Sequence, residues 1–91
     1  MKSEDLRLLY QHKVLRMPKL PVITPKKLIK IIIKIGFYVH HQTGSHKNLR
    51  HSYKKHLHIV IPDHSRDLAP KTLKSILEQA EISVKDLIEL L

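Results

Sequence analysis

Apolar residues recur at helical spacing from Leu28, where Leu28, Ile31, Ile32 and Ile35 share one face and Lys26, Lys27, Lys30 and Lys34 fall largely elsewhere. Thr24 can accept a hydrogen bond from the free first-turn N–H groups, Pro25 suits the first helical position, and Gly36 is the natural left-handed stop. The period then shortens. Phe37 to His41 reads as a strand, Thr43-Gly44-Ser45 as a hairpin turn, and His46 to about Tyr53 as a second strand. Lys54-Lys55-His56 turns the chain again into a third strand, Leu57 to Ile61. Alternation predicts a buried face of Phe37, Val39, Leu49, Leu57, Ile59 and Ile61. Tyr38, His40, His46, Asn48, Arg50 and His58 are left for the opposite, open face, in a register that a one-residue slip would invert. Pro70 opens a second amphipathic helix with Leu73, Ile76, Leu77 and Ala80 inward. Ser83 caps a short terminal helix, with Asp86 three residues on as in a capping box.

The predicted order is α-β-β-β-α, an α+β sandwich with helices on one face of a three-stranded antiparallel sheet. Ahead of it, Leu6, Leu9, Tyr10 and Val14 lie near helical spacing until Met17-Pro18 interrupts them. Residues 1–16 therefore read as an N-terminal extension with helical character, and residues 17–91 as the domain proper.

Charge sharpens this picture. The 91 residues carry a formal net charge of +9. From Leu6 to Pro62 there is no Asp or Glu, against twelve Lys and Arg, and six of the eight histidines fall between His40 and His58. A domain so basic over its strands implies a polyanionic partner, nucleic acid or an acidic protein. The chain has no cysteine, which excludes disulfides, thiol nucleophiles and cysteine zinc sites. Its longest apolar run, Ile31-Ile32-Ile33, cannot span a bilayer, and its start lacks the pattern of a signal peptide, so the expectation is a cytoplasmic protein without membrane contact.

The run Gln42-Thr43-Gly44-Ser45-His46-Lys47 sits at the centre of the basic stretch. Read from the residues alone, His46 is a polar turn residue suited to meeting a phosphate backbone. Metal ligation by His40-His41 or by His56 and His58 lacks the carboxylates that usually complete and orient such a set, so no metal or cofactor is expected. A triad centred on Ser45 lacks its acid in the same way. His12, His41, His51 and His56 read as solvated or half-buried strand and turn residues.

In this order and on these elements, Leu28 through Gly36-Phe37, Gly44-Ser45-His46, Ile61-Pro62-Asp63-His64, Leu68, and Thr72 through Leu77 with Ala80 resemble the HicA family of mRNA interferase toxins. The usual glycine after the helix-ending alanine is Glu81 here, and residues 1–16 lie outside the family pattern. The resemblance implies a double-stranded-RNA-binding-domain-like fold, ribosome-independent cleavage of mRNA, and neutralisation by a cognate HicB-type antitoxin. It also carries the family's catalytic histidine onto His46.

Imidazole suits the chemistry that follows. It can remove the proton of a ribose 2′-OH at cellular pH, so that the 2′-oxygen attacks the adjacent phosphorus and a 2′,3′-cyclic phosphate results. Cations near the phosphoryl oxygens would stabilise the growing charge. Gly44 would let the backbone approach the RNA, Ser45 could donate to a phosphate, and Lys47, Arg50, Lys54 and Lys55 are candidate RNA-binding cations. Arg50 shares the face of His46, whereas Lys47 points the other way. The second proton-transfer group is His40, His58 or water. His64 reads as a structural residue at the turn into the second helix. A non-catalytic RNA-binding module is the competing reading. A DNA-binding regulator fares worse, because no helix-turn-helix with a basic recognition helix is evident. The free toxin is expected to be a monomer.

Overall fold

The computed structural model describes residues 19–91; residues 1–16, read above as an extension, lie outside the described residues. The elements are α1 (Pro25–Lys34), β1 (Phe37–Thr43), β2 (His46–His51), β3 (His58–Pro62), α2 (Pro70–Ala80) and α3 (Val84–Leu90). This is the expected α-β-β-β-α order with one short helix appended. The strands form an antiparallel sheet in the order β1-β2-β3, and α1 and α2 pack on the same side of it.

Local signals act where expected. Thr24 caps α1 by accepting from the Lys27 N–H at 3.3 Å, and Ser83 caps α3 by accepting from the Asp86 N–H at 3.0 Å. Gly36 takes φ +107 after the last turn of α1, a conformation that an L side chain resists. One core joins Leu28, Ile31 and Ile32 of α1, Phe37, Leu49, Ile59 and Ile61 of the sheet, and Leu73, Ile76, Leu77 and Ala80 of α2. Leu87 of α3 and Leu57 ahead of β3 complete it. Ahead of the two long helices the chain is stapled together, since the Leu68 N–H donates to the Ile23 carbonyl at 2.9 Å. This bond brings the starts of the two helices together.

Val39 departs from the predicted core. It pairs with the fully buried Leu49 yet remains 41% exposed. It lies on an edge strand whose length beyond Phe37 is exposed, and the register shifts immediately after it. Alternation assigned its face correctly, but no helix reaches far enough to cover it.

Glu81 occupies the left-handed cap of α2 with φ 58 and ψ 43, so the cap survives without the family's glycine. A side chain in this conformation costs about 1–2 kcal/mol. Its contact with His56 at 3.3 Å is well exposed and worth at most about 1 kcal/mol. Replacing Glu81 with Gly should therefore raise stability by about 0.5–1 kcal/mol, net of glycine's greater freedom in the unfolded chain. Chemical denaturation of the two proteins checks this, and a lower midpoint for the glycine variant would refute it.

Candidate active site and nucleic-acid face

The β1–β2 connection is a two-residue turn, because Thr43 pairs with His46 across it. Gly44 holds φ +51 at the first turn position, where a type II′ hairpin turn wants glycine. The turn is braced from the third strand. The Asp63 N–H donates to the Ser45 carbonyl at 2.6 Å, and Pro62 pairs with His46. His46 is thus the first residue of the central strand, exposed and flanked by Thr43 and Pro62.

Pairing partners in a sheet share a face, so the register lays out the paired positions of the open side. It has three rungs, each read from β1 across β2 to β3. The first is Thr43, His46 and Pro62; the second is His41, Asn48 and Val60; the third is Tyr38, Arg50 and His58. None of the nine residues is acidic. Asp63 lies just beyond the third strand, and its carboxylate is 3.7 Å from the ammonium of Lys47. Lys47 pairs with Ile61, a core residue, so its side chain starts from the helix side of the sheet, as alternation predicted.

A bulge between Val39 and His41 changes which histidines count. His40 stays on the open side, its ring in a T-shaped contact with Tyr38 at 6.4 Å between centroids. His41 takes the ladder position opposite Asn48, which brings it to the same side. His41 is then the diagonal neighbour of His46, about 7–8 Å away between Cα atoms. His58 and Arg50 sit two rungs from His46, about 13 Å along the strand. His58 is also engaged, its Nε2 lying 3.2 Å from Asn48 Oδ1. The run Phe37-Tyr38-Val39-His40-His41 carries one trace of the bulge, a second histidine where alternation calls for a core residue.

The other sequence candidates spread out. Gly44 and Ser45 adjoin His46. Lys54 and Lys55 occupy the β2–β3 connection, at the opposite end of a strand about 17 Å long, so they do not join His46 in one site. The exposed lysines of α1 ride on a helix packed against the far side of the sheet.

His51 is buried more deeply than its reading as a solvated or half-buried strand residue. It is only 8% exposed, the one buried polar side chain among the described residues. Its Nε2 lies 2.9 Å from the Ile35 carbonyl, while Nδ1 accepts from the Tyr53 and Lys54 N–H groups at 3.1 and 3.0 Å. These bonds assign the neutral tautomer with its proton on Nε2. His51 ties the end of α1 to the β2–β3 connection and is a structural residue. His64 lies in the loop after β3 at the helix starts, with a buried Nδ1 that has no protein partner. Among the described residues, no three His, Asp or Glu side chains are grouped to hold a metal ion. No helix among them is long and apolar enough to cross a membrane.

A family model described as HicA toxin of bacterial toxin-antitoxin matches residues 25–82, from the first residue of α1 through the cap of α2. The chain belongs to the HicA toxin family. No curated protein matches the chain significantly. The family match covers the whole sheet, the turn with His46 and both long helices. Membership makes this HicA chain the toxin of a toxin–antitoxin system, with a cognate antitoxin as partner.

Proposed function

We propose that this HicA chain is an endoribonuclease that cleaves mRNA in the cytoplasm, arrests translation and growth, and is held in check by a HicB-type antitoxin. The observation that carries this reading is the position of His46, at the head of the central strand on a sheet face without a single carboxylate. His46 takes the proton of a ribose 2′-OH. The 2′-oxygen attacks the adjacent phosphorus, the bond to the 5′-oxygen breaks, and the products end in a 2′,3′-cyclic phosphate and a 5′-hydroxyl. His41, the diagonal neighbour of His46, is the best placed histidine to return a proton to the leaving 5′-oxygen. The other candidates for that role are His40, His58 and water.

Gly44 and Ser45 form the phosphate-facing turn, and Arg50 supplies charge further along the same face. Lys47 adds positive potential from the helix side. Lys54 and Lys55 would meet RNA only where it extends past the far end of the strand. The face offers no carboxylate for a magnesium ion, which favours a mechanism run by imidazole alone.

Incubating the purified protein with RNA in excess EDTA tests this reading directly. The expected products carry cyclic phosphates detectable by mass spectrometry. Salt-sensitive binding of intact RNA without any cleavage would instead identify a non-catalytic RNA-binding module on the same fold.

A further inference from the structure

The third rung of the open face lies too far from His46 to share in its chemistry, yet it is built unlike a solvated edge. Tyr38, Arg50 and His58 are cross-strand neighbours there, with Cβ atoms about 5 Å apart. Tyr38 is 42% exposed, and its ring is held by the T-shaped contact with His40. His58 is held through Asn48. Between them, Arg50 has a buried Nε with no hydrogen-bond partner, and neither ion pair among the described residues involves it. Arginine is ordinarily the residue most readily satisfied by a carboxylate or carbonyl. Here it stands half-buried on a face that contains no acid, beside an exposed aromatic ring.

We infer that the rung Tyr38–Arg50–His58 is a nucleobase-binding subsite. An unpaired RNA base stacks on Tyr38, and Arg50 donates to its acceptor edge or to the adjoining phosphate. This inference rests on RNA being the substrate and adds which residues read it. The strand separates the rung from His46 by about 13 Å, so the base recognised lies away from the scissile linkage. Its occupant is a single strand. A flat sheet face offers stacking to splayed bases, whereas a paired duplex exposes its phosphates and 2′-OH groups and keeps its base faces covered. Charge complementarity suits a nucleic-acid strand, since none of the nine paired positions is acidic.

The test uses the full chain carrying His46→Ala, so that RNA survives, and a short single-stranded RNA with one 2-aminopurine. Stacking on Tyr38 should quench the 2-aminopurine. Adding Tyr38→Ala should abolish the quench and weaken binding by about 5- to 150-fold, the range of a single lost base–aromatic stack. Tyr38→Phe should keep both. Arg50→Lys should weaken binding and flatten the preference among bases, while thermal melts report whether each variant folds. Unchanged affinity and quenching in folded Tyr38→Ala would overturn the inference. So would a duplex of the same sequence competing better than the single strand. A Tyr38→Ala defect confined to antitoxin binding would overturn it too, by making the face a protein-docking surface. Cleavage of the RNA by the His46→Ala background would sink the catalytic reading alone, because quenching is read independently of it.

Discussion

Replacing His46 with alanine should end growth arrest and slow RNA cleavage by about 10²–10⁴-fold, the range a positioned acid–base group contributes. The fold should survive intact. His46 is exposed, at the mouth of a turn set by Gly44 and braced through the Ser45 carbonyl, so its ring fills no cavity. Surface changes of this kind usually alter stability by no more than about 0.5 kcal/mol. RNA binding should persist in the variant, since the basic face and its third rung are untouched. The comparison of wild type and His46→Ala in a growth assay and with purified RNA is decisive: a folded variant that still arrests growth and cuts RNA removes His46 from the mechanism.

His41 gives the same experiment a second axis. His41→Ala should slow cleavage, but less than His46→Ala does, and it should leave the fold intact because His41 is exposed. A folded His41→Ala variant that cuts RNA at the wild-type rate would return the role of acid to His40, His58 or water.

The fold and the open face were largely legible because local rules decided them. A cap residue followed by proline opened α1, a glycine closed it, and a two-residue turn fixed the register of β1 against β2. Once that register was set, the period of two placed Asn48, Arg50 and His58 with His46. Three features escaped for physical reasons. The bulge at His40 leaves only a second histidine where alternation calls for a core residue, a sign that a half-buried histidine explains equally well, so His41 was passed over. Val39 carried a core-like pattern, but coverage by a helix is a tertiary matter. His51 looked like one more polar strand residue, because its partners are backbone groups from elements that the sequence does not place beside each other. Lys54 and Lys55 fall in the second turn, as read from the sequence, which sets them at the far end of the strand from His46.

Gly36→Ala should destabilise the domain by about 3–5 kcal/mol, a large share of the 5–15 kcal/mol that a protein of this kind possesses. Two effects add. At φ +107 an alanine pays the steric penalty of a left-handed residue, about 1–2 kcal/mol. Its Cβ would also stand 2.6 Å from His51 Nε2 and 2.9 Å from Cε1. The ring has no room to retreat, since its edge packs against Phe37 with centroids 4.9 Å apart. Moving it breaks the bond to the Ile35 carbonyl and those from the Tyr53 and Lys54 N–H groups, and each buried group left unpaired costs about 1–3 kcal/mol. Gly44 supplies the control. It too has positive φ, but a Cβ there would meet nothing within 4 Å, so Gly44→Ala should cost only the conformational term, about 1–2 kcal/mol. Urea unfolding should show the midpoint falling far more for Gly36→Ala than for Gly44→Ala at similar slope. In a His51→Ala background the penalty at Gly36 should shrink toward that of Gly44, because the clash is gone and the two sites are coupled through it. Strictly additive losses at Gly36 and His51 would show that the ring is not what glycine makes room for.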